Sequence, residues 1–287
     1  MSKTQKKYWP DMNTSDFHPP RIAVLTSHSA TGIEGLVGDP NRGTLYNLVA
    51  VVSSESRIAE QEIIDAAGIP TILRPIQRFH DERRVALRLV QNRSAYDAET
   101  ADILHRLDVN YVILLGYRFI VTEPLLAAFP QRIIALHDGD LTLRDEDGRR
   151  SYTGLHAVRN AVFDGLGETR CSAYLATRDV GAGPLFLLSG AYPLAAMAVD
   201  AQLWGALDVL SSYAALHGRW MRRSAWSTML IHIMEMLSAG TMQVVGDVVW
   251  VDGVPGPCRM GDAPSVCHAR EKSITAGVPA SCPFISG

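Results

Sequence analysis

The chain has 287 residues, 47% of them hydrophobic and 20% charged, a balance that suits a globular chain with a sizeable core. Its formal net charge is −3 and its basic residues, mostly arginines, are scattered, so no positive stripe is available to neutralise a nucleic-acid backbone. No segment offers the roughly 18 consecutive apolar residues of a membrane span, since residues 185–199 are interrupted by Ser189, Gly190 and Pro193.

In chain order, residues 1–20 are polar, carry Lys3, Lys6 and Lys7, and lead into no signal-peptide core. They read as a disordered tail on a cytoplasmic protein. From Arg21 the text changes. Ile22-Ala23-Val24-Leu25 reads as a buried strand that enters a small, polar loop, Thr26 to Gly32. A strand at 48–53, a helix within 56–68 that presents Ala59, Ile63, Ala66 and Ala67, and a strand at 70–73 follow. Residues 77–92 are Arg-rich and suggest a lid or a partner surface, with Arg83, Arg84 and Arg88 either binding anions or lining a solvated face.

Ser94-Ala95-Tyr96-Asp97 has the form of a capping box, with Tyr96, Thr100, Ile103, Leu104 and Leu107 on one helical face. A strand at 111–115, a Gly116-Tyr117-Arg118 turn, a short helix at 124–129 and a strand at 132–136 that ends on His137 come next. Near-continuous apolar strands alternating with helices predict an α/β fold with a doubly wound, mainly parallel sheet. Ligands in such sheets bind outside the carboxyl ends of the strands, which places His137 at the working edge.

Farther on, residues 155–162 read as a helix, 172–177 and 185–189 as strands, 201–239 as helical with a break near Gly218, and 242–250 as a strand pair. Residues 262–287 read as an irregular tail, leaving 21–261 as one domain. The four cysteines do not suit a disulfide scaffold, and Cys258, Cys267 and His268 match no CxxC metal spacing, so reduced thiols and no metal are expected.

Several landmarks together resemble the folate-dependent formyltransferases, most closely the glycinamide ribonucleotide type. They are Ser94 to Asp97, Leu115 to Val121, Arg132 to His137, Tyr152-Thr153-Gly154-Leu155-His156, Asp179-Val180-Gly181-Ala182-Gly183-Pro184 and Trp250 to Gly253. The resemblance implies the formyltransferase type of sheet, 10-formyltetrahydrofolate as cofactor and a small amine as acceptor. It also implies an Asn-x-His pair and an Asp before a Gly-Gly-Pro turn, which face a carbon that gains negative charge on oxygen while the amine loses a proton.

The active site is degenerate by that pattern. Ala135 stands at the Asn position and Gly181 at the Asp position, so His137 alone remains of the three. Asp138, Asp140, Asp179 and His156 are the candidate replacements, although Asp138-Gly139-Asp140 is equally a turn signature. Ser27, Ser29, Thr31 and Gly32 stand where the family binds its substrate's phosphate, and His28 and Ala30 replace residues that let the backbone approach closely. An acceptor other than glycinamide ribonucleotide is therefore expected. Leu115, Gly116, Tyr117, Arg118, Phe119 and Val121 suit a flat pterin or simply a packed core. Three readings stand: a formyltransferase-like enzyme, a hydrolase on the same scaffold, and a non-catalytic ligand-binding relative. The sequence leaves the oligomeric state open.

Overall fold

The apolar run Arg21–Thr26 forms strand β1, with every residue after Arg21 buried. Residues 18–261 are described by a computed structural model; most of the N-terminal tail and all of the C-terminal tail, with Cys267, His268 and Cys282, lie outside the described residues. After β1 come α1 (Ile33–Gly38), β2 (Asn47–Ser53), α2 (Gln61–Ala66), β3 (Thr71–Leu73), α3 (Ile76–Glu82) and α4 (Ser94–Arg106). The centre continues with β4 (Tyr111–Leu114), α5 (Glu123–Ala128), β5 (Ile133–His137) and α6 (Ala157–Phe163). Next are β6 (Glu168–Thr169), β7 (Ser172–Leu175), β8 (Leu185–Leu188), β9 (Tyr192–Pro193), α7 (Ala196–Leu203) and α8 (Leu207–Ala239). The last strands are β10 (Met242–Val245), β11 (Val248–Val251), β12 (Val254–Pro255) and β13 (Cys258–Arg259).

Eight strands form the main sheet in the order β13-β8-β7-β5-β4-β1-β2-β3. The five from β3 to β5 are parallel, whereas β7 runs antiparallel to both β5 and β8. This is the doubly wound α/β arrangement, with the direction of winding reversing between β1 and β4. Alternation divides the side chains between two cores. Ile22, Val24, Ile113, Ile134 and Leu136 pack beneath α8 through Met229, Leu230, Ile233 and Met234. Ala23, Leu25, Val112, Leu114 and Ala135 face α4 and α5 through Ala101, Leu104 and Leu125. With both faces sealed, polar chemistry is confined to the strand ends.

Several sequence expectations change. The helix expected within 56–68 starts at Gln61, and it buries Ile64 while Ile63 is 44% exposed. The capping box does not form: Arg93 is the N-cap of α4, and Asp97 turns inward to accept bonds from Thr122 N–H at 2.6 Å and Thr122 Oγ1 at 2.7 Å, so it braces the start of α5. The Arg-rich segment takes in all of α3 after Ile76, and Arg83 lies 3.6 Å over the Phe79 ring and pairs with Glu99 of α4 at 2.8 Å.

Gly218 does not break α8. It is buried where Val158 of α6 approaches, and a Cβ there would meet Val158 at 3.5 Å. Tertiary packing along the sheet offsets the roughly 1 kcal/mol that a mid-helix glycine costs. The strand pair expected at 242–250 forms as β10–β11, extended by β12. No helix among the described residues is long and apolar enough to cross a membrane.

His217 on α8 is 4% exposed and bonds Thr169 Oγ1 through Nε2 at 2.7 Å. Burial lowers its pKa from the usual 6.5, since desolvation disfavours the charged ring. A depressed pKa means that the stability His217 contributes is present above about pH 6.5 and is lost as pH falls through the folded-state value. Denaturant unfolding between pH 7 and 5 should show stability falling, by about 1.4 kcal/mol for each unit of pKa depression, and the slope should flatten in His217→Gln.

Candidate active site at the ends of β1, β4 and β5

The crossing between β1 and β4 is tight. Gly116 takes φ +66, and a Cβ there would lie 2.2 Å from the Ser29 carbonyl oxygen, so no side chain fits where the β4 loop passes the β1 loop. Ser27 Oγ accepts Arg118 N–H at 3.1 Å and bonds Ser54 Oγ at 2.8 Å, which ties the two loops to β2. Thr26 Oγ1 is buried beside this crossing without a hydrogen-bond partner.

His137 stands at the end of β5, half-buried, with Nε2 2.5 Å from the Tyr152 carbonyl oxygen. A carbonyl can only accept, so Nε2 carries the hydrogen and Nδ1 of the neutral ring keeps its lone pair. The loop behind it is fixed by Ser172 Oγ, which donates to the Gly139 carbonyl at 2.7 Å and accepts Leu141 N–H at 3.0 Å.

The other acidic and histidine candidates do not gather around this ring. Asp138 forms an ion pair and a short hydrogen bond with Arg222 of α8. Asp140 Oδ1 accepts Thr142 N–H at 2.9 Å and the Thr142 hydroxyl, while Oδ2 faces Arg170 at 3.8 Å. His156 is exposed at the N-terminus of α6, and Asp179 is exposed in the β7–β8 connection. Asp138 and Asp140 therefore hold the loop that carries His137, and the remaining two face solvent.

The structure adds residues that the sequence reading did not single out. Ala135 pairs in register with Tyr174 of β7, so their side chains share one face of the sheet. The Tyr174 hydroxyl accepts Gly181 N–H at 3.2 Å, and Arg150 Nη1 donates to the carbonyls of Gly181 and, at 2.9 Å, Gly183. Tyr174 thus connects the two positions where the expected Asn and Asp are missing. Burial pushes its phenol pKa up, opposed by Gly181 N–H and Arg150, so the hydroxyl stays protonated at neutral pH and can donate. The one signal available in sequence was a polar-tipped ring inside an otherwise small and apolar strand.

The expected anion loop is bonded to the chain's own carboxylates. Glu60 accepts the Ser29 hydroxyl at 2.6 Å and Ala30 N–H at 2.7 Å. Glu34 accepts Gly32 N–H at 2.9 Å, and Thr31 Oγ1 bonds Ser29 Oγ at 2.7 Å. A cleft of about 410 Å³ lies alongside, lined by His28, Ser29, Arg57, Ile58 and Ala59.

On the β4 side, Leu115 and Val121 are buried and Arg118 is exposed. Tyr117 and Phe119 meet edge to face with centroids 5.9 Å apart, and Arg93 lies 5.9 Å from the Phe119 centroid. Burial, reinforced by the Asp97 charge, raises the Tyr117 phenol well above its ordinary value. Among the described residues no group of three His, Cys, Asp or Glu side chains is placed to hold a metal ion.

If Asp138 is committed to Arg222, the pair should be energetically coupled. Arg222→Met is expected to destabilise the fold by about 1–3 kcal/mol by leaving a largely buried carboxylate unpaired. The Asp138→Asn/Arg222→Met double variant should lose clearly less than the sum of the singles, as measured by a denaturant double-mutant cycle.

Residues 20–196 match the family model described as formyl transferase. Among curated relatives, the trifunctional purine biosynthetic protein adenosine-3 of Bos taurus is 24% identical over 168 residues, which is 58% of this chain and 15% of that protein. Phosphoribosylglycinamide formyltransferase of Escherichia coli strain K12 is 24% identical over 170 residues, 58% of this chain and 70% of the relative. The chain thus spans about 15% of the length of the trifunctional relatives it matches.

Among solved structures, glycinamide ribonucleotide transformylase 1 from Symbiobacterium toebii superposes with a TM-score of 0.57 at 23% identity, covering 87% of this chain and 99% of that one. A formyltetrahydrofolate deformylase from Pseudomonas syringae pv. tomato gives 0.61 at 15% identity, covering 82% and 66%. These structures share the fold. The family match takes in more than half of the chain, from the strand that opens the sheet to the start of α7, and the protein belongs to the formyl transferase family.

Proposed function

We propose that the protein transfers a one-carbon formyl group from 10-formyltetrahydrofolate to a small amine other than glycinamide ribonucleotide, with His137 as the proton-handling residue. One observation carries this reading: the hydrogen bond from Nε2 to the Tyr152 carbonyl fixes the ring so that Nδ1 is the basic nitrogen. An amine that acylates must lose a proton, and Nδ1 can take it; the resulting imidazolium keeps its bond to the carbonyl.

The β4 loop fits a folate in part. Tyr117 and Phe119, in contact with each other, would wall the pterin beside Val121, whereas Leu115 is sealed in the core beneath α8; the unpartnered Thr26 hydroxyl beside Gly116 offers a polar contact that the protein leaves unsatisfied. The folate would supply the formyl carbonyl. In place of the missing Asn, the Tyr174 hydroxyl, on the sheet face of Ala135, supplies a donor for negative charge on that oxygen.

The acceptor is read from the β1 loop. With Ser29, Ala30 and Gly32 already donating to Glu60 and Glu34, a substrate phosphate would meet carboxylates rather than free N–H groups. An uncharged or cationic amine suits this end of the sheet better. Water as acceptor is the second reading, supported by the shared fold with formyltetrahydrofolate deformylase.

Purified protein incubated with 10-formyltetrahydrofolate and a panel of unphosphorylated amines should release tetrahydrofolate only when an amine is present. His137→Ala should abolish turnover, and Tyr174→Phe should lower kcat by on the order of a hundredfold with KM little changed. Turnover without an amine would replace this reading with hydrolysis. Saturable folate binding with no turnover on any amine would replace it with a non-catalytic role.

A further inference from the structure

The first half of α8 carries an apolar stripe that nothing in the described chain covers. Val209, Leu216 and Trp220 are 38%, 60% and 53% exposed, and Tyr213 lies half-buried between them. Their spacings of four, three and four residues are those of a coiled-coil seam. The opposite side of the same turns, through Leu210, Ala214 and Gly218, is buried in the domain. Trp220 is held edge-on to Tyr192 at 5.0 Å and His217 at 5.5 Å, so it is a pre-ordered anchor.

The patch does not stop at α8. The Tyr213 hydroxyl accepts Ala195 N–H at 2.7 Å, which lays α7 back along the first turns of α8. Gln202, on one edge of α7, bonds the Phe163 carbonyl at the end of α6. Met197 and Trp204 lie on the other edge and are 54% and 83% exposed. Two exposed tryptophans alone offer on the order of 300 Å². With the neighbouring aliphatic side chains the surface approaches the roughly 800 Å² per partner of a standard interface.

We propose that this face binds a second copy of the chain, with the two α8 helices antiparallel about a two-fold axis between Tyr213 and Leu216. Charge placement selects this occupant. Asp208, Arg219 and Arg223 are exposed, have no ion-pair partner among the described residues, and lie on one flank of the stripe, acidic at its start and basic at its end. In an antiparallel helix pair equivalent flanks meet, so Asp208 of each copy faces Arg219 and Arg223 of the other, at both ends of the seam. In a parallel pairing each flank meets the opposite flank of the partner, so these charges would not find one another. The proposal does not depend on the catalytic reading, because its test is a mass.

Sedimentation velocity on the full-length chain, over a wide concentration range, should give a species of twice 31.4 kDa. Leu216→Asp should give the monomer with an unchanged far-ultraviolet circular dichroism spectrum. Asp208→Arg, or Arg219→Asp with Arg223→Asp, should each weaken the dimer by on the order of tenfold, and the triple variant should restore it, which remains informative if Leu216→Asp does not fold. A monomer at all concentrations, a dimer indifferent to Leu216→Asp, or charge variants that fail to rescue one another would each overturn the proposal.

Discussion

Sealing both faces of the sheet is the constraint from which the rest follows. Ile22, Ala23, Val24 and Leu25 alternate between two cores, one beneath α8 and one beneath α4 and α5, and the parallel strands on either side do the same. No polar side chain can work from the middle of such a strand without an unpaired group in an apolar core. Reactive residues are driven to the carboxyl ends, and the winding reversal between β1 and β4 opens the one crevice there that the sheet itself creates. Gly116 expresses this directly, because a Cβ there would lie 2.2 Å from the Ser29 carbonyl oxygen of the facing loop.

The fold of the family is kept, and the polar groups at its strand ends are tied to one another across elements. The Ala135 methyl shares its sheet face with the Tyr174 ring, and the backbone at residue 181 is bound by the Tyr174 hydroxyl and by Arg150. In the β1 loop, Glu60 accepts from the Ser29 hydroxyl and Ala30 N–H, and Glu34 from Gly32 N–H. The chain is therefore internally satisfied at these positions.

The parts of this that were legible in sequence are the local ones. Strands ending at Thr26, Leu114 and His137 could be read because burial on both faces makes their text continuously apolar, and His137 could be placed because it terminates such a run. The face of α2 was misread because a single turn and a half cannot distinguish Ile63 from Ile64 by period alone. Asp97 was assigned to its own helix because its bond to Thr122, 25 residues away, is invisible to local pattern. The same holds for the partners that define the site: Glu60 meets Ser29 across 31 residues and Arg222 meets Asp138 across 84. Residue type told where chemistry could sit, and only tertiary contact told what each group was already bound to.

Helix α8 touches both the loop after β1 and the loop after β5. Arg222 holds Asp138 next to His137, and Ser227 Oγ donates to the Gly32 carbonyl at 3.2 Å. Added Cβ atoms on Gly32 and Gly35 would each meet α8 at 2.7 Å, at the Trp226 Cβ and the Ser227 carbonyl oxygen, so the β1 loop and α1 lie directly on the helix. A rod of 33 residues is about 50 Å long, so one rigid element sets the spacing between the histidine loop and the carboxylate-filled loop. The exposed stripe lies on the same rod and ends at Trp220, about half a turn before Arg222. Whatever covers Trp220 therefore presses on the element that positions both loops.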